Sequence, residues 1–216
     1  MNCTGDGSKD PIDLYGARTG NCLRVAIALE EAGLPYRPVR LDLRRGEHRT
    51  AEFLALNPDG KVPVIVDRVD GDEVLVLTQS NAILFYVAEA ASETLFPVGG
   101  TRRRVVAYER FFYFLTDVIA PSHAAFQLRA SGVKDSSPQA LDLRAMKALS
   151  VAERFVKTSE FIAGETFTLA DIAAVTIAFA VERHIDWSEL PQLRRWYQAV
   201  MARPSVIRGF AAFGTR

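Results

Sequence analysis

The stretch that most constrains this chain is a pair of short apolar segments separated by an acidic turn. Lys61-Val62-Pro63-Val64-Ile65-Val66 is β-rich, with a proline near its start, and Val74-Leu75-Val76-Leu77 runs into Thr78-Gln79-Ser80-Asn81-Ala82-Ile83. Asp70-Gly71-Asp72 between them reads as the turn of a hairpin. A proline holds the residue before it extended, so Val62 is expected to expose its N–H and C=O along a strand edge. A cis Val62-Pro63 bond would turn the chain sharply and keep that edge open, whereas a trans proline would begin an ordinary edge strand. The second segment ends in polar residues at the mouth of a helix. There the Ser80 hydroxyl and the free backbone N–H groups point the same way and can hold an anion. Together the segments suit an extended, peptide-like ligand, with a strand edge for its main chain and a helix N-terminus for its carboxylate. Ser80 acting only as a cap of its own helix is the plainer alternative.

The surrounding pattern makes a mixed domain. Ile12 to Tyr15 reads as a strand leading into the loop Gly16 to Gly20, and Cys22 to Ala32 is helical, stopped by Gly33 and Pro35. Tyr36 to Leu43 alternates as a half-buried strand would. Ala51 to Leu56 is a short helix closed by the turn Asn57-Pro58-Asp59-Gly60. Val62 to Asp67 and Glu73 to Leu77 are the hairpin strands, and a helix follows from Ser80 to about Ala90. The order β-α-β-α-β-β-α matches an α/β thioredoxin-like fold, with a parallel pair from the crossover and an antiparallel pair from the hairpin.

Residues 1–10, rich in Gly, Asp, Ser and Lys, read as an extension, 11–91 as the α/β domain, and 92–100, with Pro97 and Gly99-Gly100, as a linker. Beyond it nothing reads as a strand. Thr101 to about Ala130, Pro138 to Lys157, Leu169 to Arg183 and Leu190 to Ala202 carry helical spacing, so 101–216 is expected to be an all-α bundle. Within it Thr168 and Asp171 fit the N-cap and N3 positions of a capping box, with Phe167 and Ile172 as its hydrophobic staple.

Lys plus Arg and Asp plus Glu both number 26, so no global field draws in nucleic acid or an anionic membrane. The one basic triplet, Arg102-Arg103-Arg104, is read as a solvated helix start or an anion contact. No apolar run reaches the roughly 18 residues that span a bilayer, and no secretory signal is evident. Cys3 and Cys22 have neither metal nor dithiol spacing and read as reduced thiols of a cytoplasmic protein. His48, His123 and His184 are too far apart to suggest a metal motif. His48 sits in a loop where it can reach a ligand's far carboxylate, while His123 reads as structural or substrate-facing.

Thr19, Asn21 and Cys22 lie at the start of the first helix, where a bound thiol would receive a hydrogen bond and sense the positive helix end. A thiol of pKa about 8.5 is only roughly 3% ionised at pH 7, and lowering that by about two units raises the thiolate about 25-fold. Nucleophilicity falls about 8-fold over the same shift, leaving a net gain of only about threefold. Positioning of the second substrate must supply the rest. Cys22 as the nucleophile itself is the rival assignment, and a small packing residue the plainer one.

In this order and spacing the chain resembles the cytosolic glutathione transferases. The likeness runs from Leu14 to about Phe210. It is carried by Leu14-Tyr15, Thr19-Gly20-Asn21-Cys22-Leu23-Arg24-Val25, Gly46-Glu47-His48, Asn57-Pro58-Asp59-Gly60-Lys61-Val62-Pro63, Gln79-Ser80, the capping-box stretch Phe167 to Ile172, and Trp196 through Arg203-Pro204. The resemblance implies that Val62 pairs with the cysteinyl part of glutathione beside a cis Pro63. It implies that Gln79 and Ser80 hold the γ-glutamyl end and that His48 and Lys61 lie near the glycyl carboxylate. Thr19 falls where theta- and zeta-like members carry the serine that hydrogen-bonds the thiolate, and Asn21 where beta-like bacterial members carry a cysteine. The Thr-x-Asn arrangement is similar to bacterial nu-like members, which favour disulfide and peroxide chemistry. Theta-like behaviour would favour conjugation or dehalogenation. Thr-Gly-Asn-Cys in place of Ser-Ser-Cys-Ser weakens the zeta-like, isomerase reading. Tyr15 comes too early to be the activating tyrosine of the mammalian classes.

The expectation is therefore a cytoplasmic, homodimeric detoxification enzyme with glutathione as co-substrate and no metal. Its helical domain takes a small hydrophobic electrophile or a disulfide, with Phe111, Phe112, Tyr113, Phe114 and Phe126 as pocket or interface residues. The alternatives are a glutathione-dependent disulfide reductase working through Cys22 and a non-catalytic binding protein of the same fold.

Overall fold

The computed structural model describes residues 10–68, 73–91, 95–97 and 100–214. Cys3, the hairpin turn Asp70-Gly71-Asp72 and much of the expected linker lie outside them. The described residues form two compact units, one of those up to 90 and from 208 onward, the other of those from 91 to 207.

The first unit holds strands β1 (Ile12–Gly16), β2 (Tyr36–Arg40), β3 (Val64–Arg68) and β4 (Val74–Leu77) in the order β2-β1-β3-β4. β1 and β2 are parallel, while β1/β3 and β3/β4 are antiparallel, as the βαβ-then-hairpin pattern requires. Helices α1 (Gly20–Ala32), α2 (Ala51–Leu56) and α3 (Ser80–Ala90) complete it. Helix α1 starts two residues before its apolar pattern because Thr19 is its N-cap, and Gly33, at φ 64°, closes it in the left-handed conformation glycine adopts most readily. β2 ends at Arg40 rather than at Leu43. The Asp42 side chain accepts the N–H groups of Arg44 and Arg45 and turns the chain there. β3 begins at Val64 rather than Val62, since Pro63 has no N–H to give the ladder.

The segment 208–214 lies in this unit rather than with the helices before it. Arg208 pairs with Glu30 at 2.5 Å, Arg18 donates to the carbonyls of Phe210 and Gly214, and Phe213 packs on Gly16. Gly209 sits against α1 so closely that a Cβ would lie 2.7 Å from the Ile27 backbone nitrogen. Backbone cannot swing aside as a side chain does. Gly209→Ala is therefore expected to destabilise the protein by about 1–3 kcal/mol through overpacking, read as a lowered urea midpoint.

The second unit contains α4 (Thr101–Tyr113), α5 (Ala120–Ala130), α6 (Ser137–Val151), α7 (Leu169–Val181), α8 (Pro191–Met201) and the first turn of α9 (Pro204–Ala211). The single helix expected over Thr101 to Ala130 is interrupted by a π-helical stretch, Phe114–Ile119. Pro121 lacks the N–H that would close the α-helical ladder across that stretch. Helix α7 is buried on every side from Leu169 to Ala178 and forms the centre of the bundle, touching α4 and α8. The expected capping box is present. Thr168 Oγ1 accepts the Ala170 N–H at 3.2 Å and Asp171 Oδ2 accepts the Thr168 N–H at 2.9 Å, with Phe167 and Ile172 buried beside it. Among the described residues no helix is long and apolar enough to cross a membrane.

Candidate functional site

Topology gathers the first unit's candidate residues at one end of its sheet. β1 runs out through Gly16 toward Thr19, and its antiparallel neighbour β3 starts just after Val62-Pro63, since Tyr15 pairs with Val64. Ile65 pairs with Leu77, so the chain beyond β4 brings Gln79 and Ser80 to the same end. The ends of α1 and α3 that meet there are both N-termini, the positive ends of their dipoles.

The Val62-Pro63 bond is cis. Val62 is half-buried, and among the described residues neither its N–H nor its C=O takes part in a backbone hydrogen bond. The preceding turn is held from within. Asn57 Nδ2 donates to the Lys61 carbonyl at 2.7 Å, and Asn57 Oδ1 accepts the Asp59 N–H at 3.2 Å. Gly60, at φ 58°, would place a Cβ 2.9 Å from the His48 carbonyl oxygen, so the His48 turn and the Gly60-Lys61 turn are pressed together. His48 Nδ1 is buried without a hydrogen-bond partner, and the Lys61 side chain is 77% exposed, its ammonium 3.9 Å from Asp59.

At α3 the Gln79 side chain is exposed, and its Oε1 accepts the Asn81 N–H at 2.6 Å. That bond turns the carbonyl oxygen toward the helix and leaves the Gln79 NH₂ free to donate. Ser80 opens the helix, 6% exposed. At α1 the Thr19 hydroxyl donates to Cys22 Sγ at 3.1 Å and accepts the Cys22 N–H at 3.4 Å. Asn21, half-buried, lies in the first turn. Cys22 itself has no exposed surface, and burial pushes its thiol pKa up against the smaller, opposing effect of the Thr19 hydroxyl. A buried thiol whose ionisation is disfavoured is poorly suited to be a nucleophile, which weighs against the covalent role considered for it.

Arg24 and Asn81 are neighbours that the sequence pattern did not single out. Arg24 Nη1 donates to Asn81 Oδ1 at 3.4 Å, joining α1 to the first turn of α3. The signal was present: a cation among the apolar residues of a helix buried from Cys22 through Leu29. In the other unit, a depression of about 470 Å³ at the start of α4 is lined by Thr101, Arg104, Val105 and Tyr108 and contains none of the site residues.

Comparison with known proteins bears on this arrangement. Residues 10–89 match the glutathione S-transferase N-terminal domain and residues 113–204 the glutathione S-transferase C-terminal domain. The chain is 32% identical to the disulfide-bond oxidoreductase YfcG of Escherichia coli K12 over 200 residues, 90% of this chain and 92% of that protein. It is 33% identical to glutathione S-transferase 3 of Zea mays over 218 residues, 94% of each. Among solved structures it is similar to a glutathione transferase family member from Pseudomonas fluorescens Pf-5 with two glutathione bound. The TM-score is 0.81 at 28% identity, covering 93% of this chain and 92% of that one.

Proposed function

Since the chain belongs to the glutathione S-transferase family and carries both of its domains, we propose that its first unit binds glutathione and makes the cysteinyl thiol a nucleophile. The enzyme is a glutathione transferase, with the tripeptide as co-substrate. The main chain of Val62, beside Pro63, pairs with the cysteinyl residue. Gln79 donates from its free NH₂, and Ser80 from the helix mouth, to the γ-glutamyl end. His48 and Lys61 attend the glycyl carboxylate. Thr19, helped by Asn21, donates a hydrogen bond to the thiolate. The observation that carries this reading is the unclaimed main chain of Val62, at the same sheet end as an open helix N-terminus.

Residues 11–91 are the glutathione-binding domain, 92–100 the linker, and 101–216 the domain that takes a small hydrophobic electrophile, except that its last segment, from Arg208, packs with the first unit. The working form is a cytoplasmic homodimer. Calorimetry is expected to show glutathione binding that is lost when the tripeptide lacks its γ-glutamyl residue. A panel pairing glutathione with a chloronitroaromatic, an organic hydroperoxide, a mixed disulfide and a maleyl diketo-acid is expected to show turnover in at least one arm. Binding without turnover in any arm would leave a binding protein of this fold, and no heat at millimolar glutathione would end the reading.

A second reading, disulfide exchange, is favoured by the similarity to a protein named as a disulfide-bond oxidoreductase. One solved structure to which the chain is similar also holds two glutathione molecules. In that reaction the glutathione thiolate attacks one sulfur of the substrate, a new S–S bond forms as the old one breaks, and the displaced thiolate takes a proton from water. Because Cys22 is fully buried, Cys22→Ala is expected to leave exchange largely intact. A glutathione–Cys22 mixed disulfide seen by mass spectrometry would overturn that expectation.

A further inference from the structure

The first unit contains a buried cation, Arg24, with no ion-pair partner among the described residues. Arg24 is 3% exposed, Asn81 is its sole side-chain hydrogen-bond partner among the described residues, and its Nε is buried with none. Burial draws its pKa down only to about 10, so it remains charged at neutral pH. Asp13, 1% exposed in the same unit, is met by Arg37 at 2.7 Å and Arg68 at 3.1 Å, whereas Asp67, 2% exposed, accepts the Tyr86 hydroxyl and has no ion pair among the described residues. A buried arginine is ordinarily paired, because an unpaired charge out of water is costly.

Its location adds to the imbalance. Asn81 is the second residue of α3, so Arg24 sits against the end of a helix that is itself partly positive and has N–H groups to spare. Positive charge is thus concentrated at one helical turn with no ion-pair partner among the described residues. An anion at that turn would meet the helix end and the field of a guanidinium that is itself buried from water. The bonding also runs outward: Arg24 donates to the Asn81 side chain, and the Asn81 N–H holds Gln79 Oε1. Arg24 therefore fixes the residue that orients the Gln79 amide.

We propose that Arg24 is a positioning residue for glutathione, supplying the buried charge that the α-carboxylate of the γ-glutamyl group neutralises at the first turn of α3. The inference rests on the binding reading above and extends it to a residue that need not touch the ligand. It also explains how α1 can carry a buried, unpaired cation, because the complex, not the empty protein, completes its charge balance.

The test compares Arg24→Met and Arg24→Lys with wild type by calorimetry, using glutathione and γ-aminobutyryl-cysteinyl-glycine, which keeps the amine but lacks the α-carboxylate. Arg24→Met is expected to weaken glutathione about tenfold. The analogue should bind the variant and wild type alike, and Arg24→Lys should recover part of the loss. Without ligand, Arg24→Met should melt no lower than wild type, because an uncompensated charge has been replaced by an apolar chain of similar length. Equal weakening of both ligands, or of neither, would overturn the proposal, as would a lowered melting temperature with glutathione affinity unchanged. If Arg24→Met does not fold, the role is structural and the proposal fails. Wild-type protein that binds no glutathione would instead refute the functional reading on which this one stands.

Discussion

Asp171→Ala is expected to cost about 3–5 kcal/mol, because it leaves three buried N–H donors, besides the Thr168 hydroxyl, without partners at about 1–3 kcal/mol each. Asp171 has no exposed surface, and its Oδ1 accepts the Ile162 N–H and the Trp196 indole N–H, both at 2.8 Å. Its Oδ2 accepts the Thr168 N–H at 2.9 Å and the Thr168 hydroxyl at 3.1 Å. One carboxylate thus caps α7, pins the segment at Ile162 and anchors α8 through Trp196. A cap alone would be worth about 1 kcal/mol. The larger value expected here follows from the two additional bonds, to the Ile162 N–H and the Trp196 indole N–H. Asp171→Asn should recover less than half of the loss, since its NH₂ would face donors. Urea denaturation measures both, and an Asp171→Ala loss no greater than that of Thr168→Ala would show that the bonds to Ile162 and Trp196 contribute little.

The same residue carries a pH signature. Burial pushes its carboxyl pKa up from 3.8 to about 6, against the pull of four donors. Between about pH 4 and pH 6 the folded protein therefore holds a proton that the unfolded chain has released. This contribution to stability is fully present below about pH 4 and is lost as pH rises through about 6. The stability difference between wild type and Asp171→Asn should shrink over that window. A difference that stays flat from pH 4.5 to 7 would contradict it.

What the sequence made legible divides by distance along the chain. The capping box, the Gly33 stop, the Asn57-to-Gly60 turn and the strand–helix order all depend on neighbours within a few residues. Their signals lie in one short window. Pro63 was readable as a special position for the same reason, and its cis bond was one of two stated alternatives. The features that escaped join distant residues. Trp196 reaches Asp171 across 25 positions, Arg24 reaches Asn81 across 57, and Arg208 reaches Glu30 across 178. Periodicity places a residue on a helix face but does not say what faces it. A buried arginine in a helix apolar on all sides therefore looks, in sequence, like the charged edge of an amphipathic one. The π-helical stretch before Pro121 was hidden differently: the helical spacing continues through it, and only the missing N–H breaks the ladder.

Thr19→Ala is expected to lower turnover with glutathione by tenfold to a hundredfold, about 1.4–2.7 kcal/mol of transition-state stabilisation. In the unliganded protein the Thr19 hydroxyl donates to the Cys22 thiol, a weak acceptor that a charged sulfur readily outcompetes. On the proposed reading, redirection of that one proton is the step on which thiolate stabilisation would depend. Ionisation alone cannot account for the whole effect, because the net gain at pH 7 from a shift of about two units is only about threefold. The remainder must come from holding the sulfur in line with the electrophile, and the pH dependence separates the two. Without Thr19 the thiol pKa should return toward about 8.5, so at pH 9.5 most of the ionisation deficit disappears. If ionisation were all that Thr19 supplied, the Ala variant would then be the faster enzyme by up to about 8-fold, its thiolate being the more basic nucleophile. We expect it to remain slower at that pH, and Thr19→Ser to restore turnover at both. A crossover, with Thr19→Ala overtaking wild type at high pH, would mean that the hydroxyl tunes charge only and that alignment of the sulfur is the work of Asn21 or of the helix end itself.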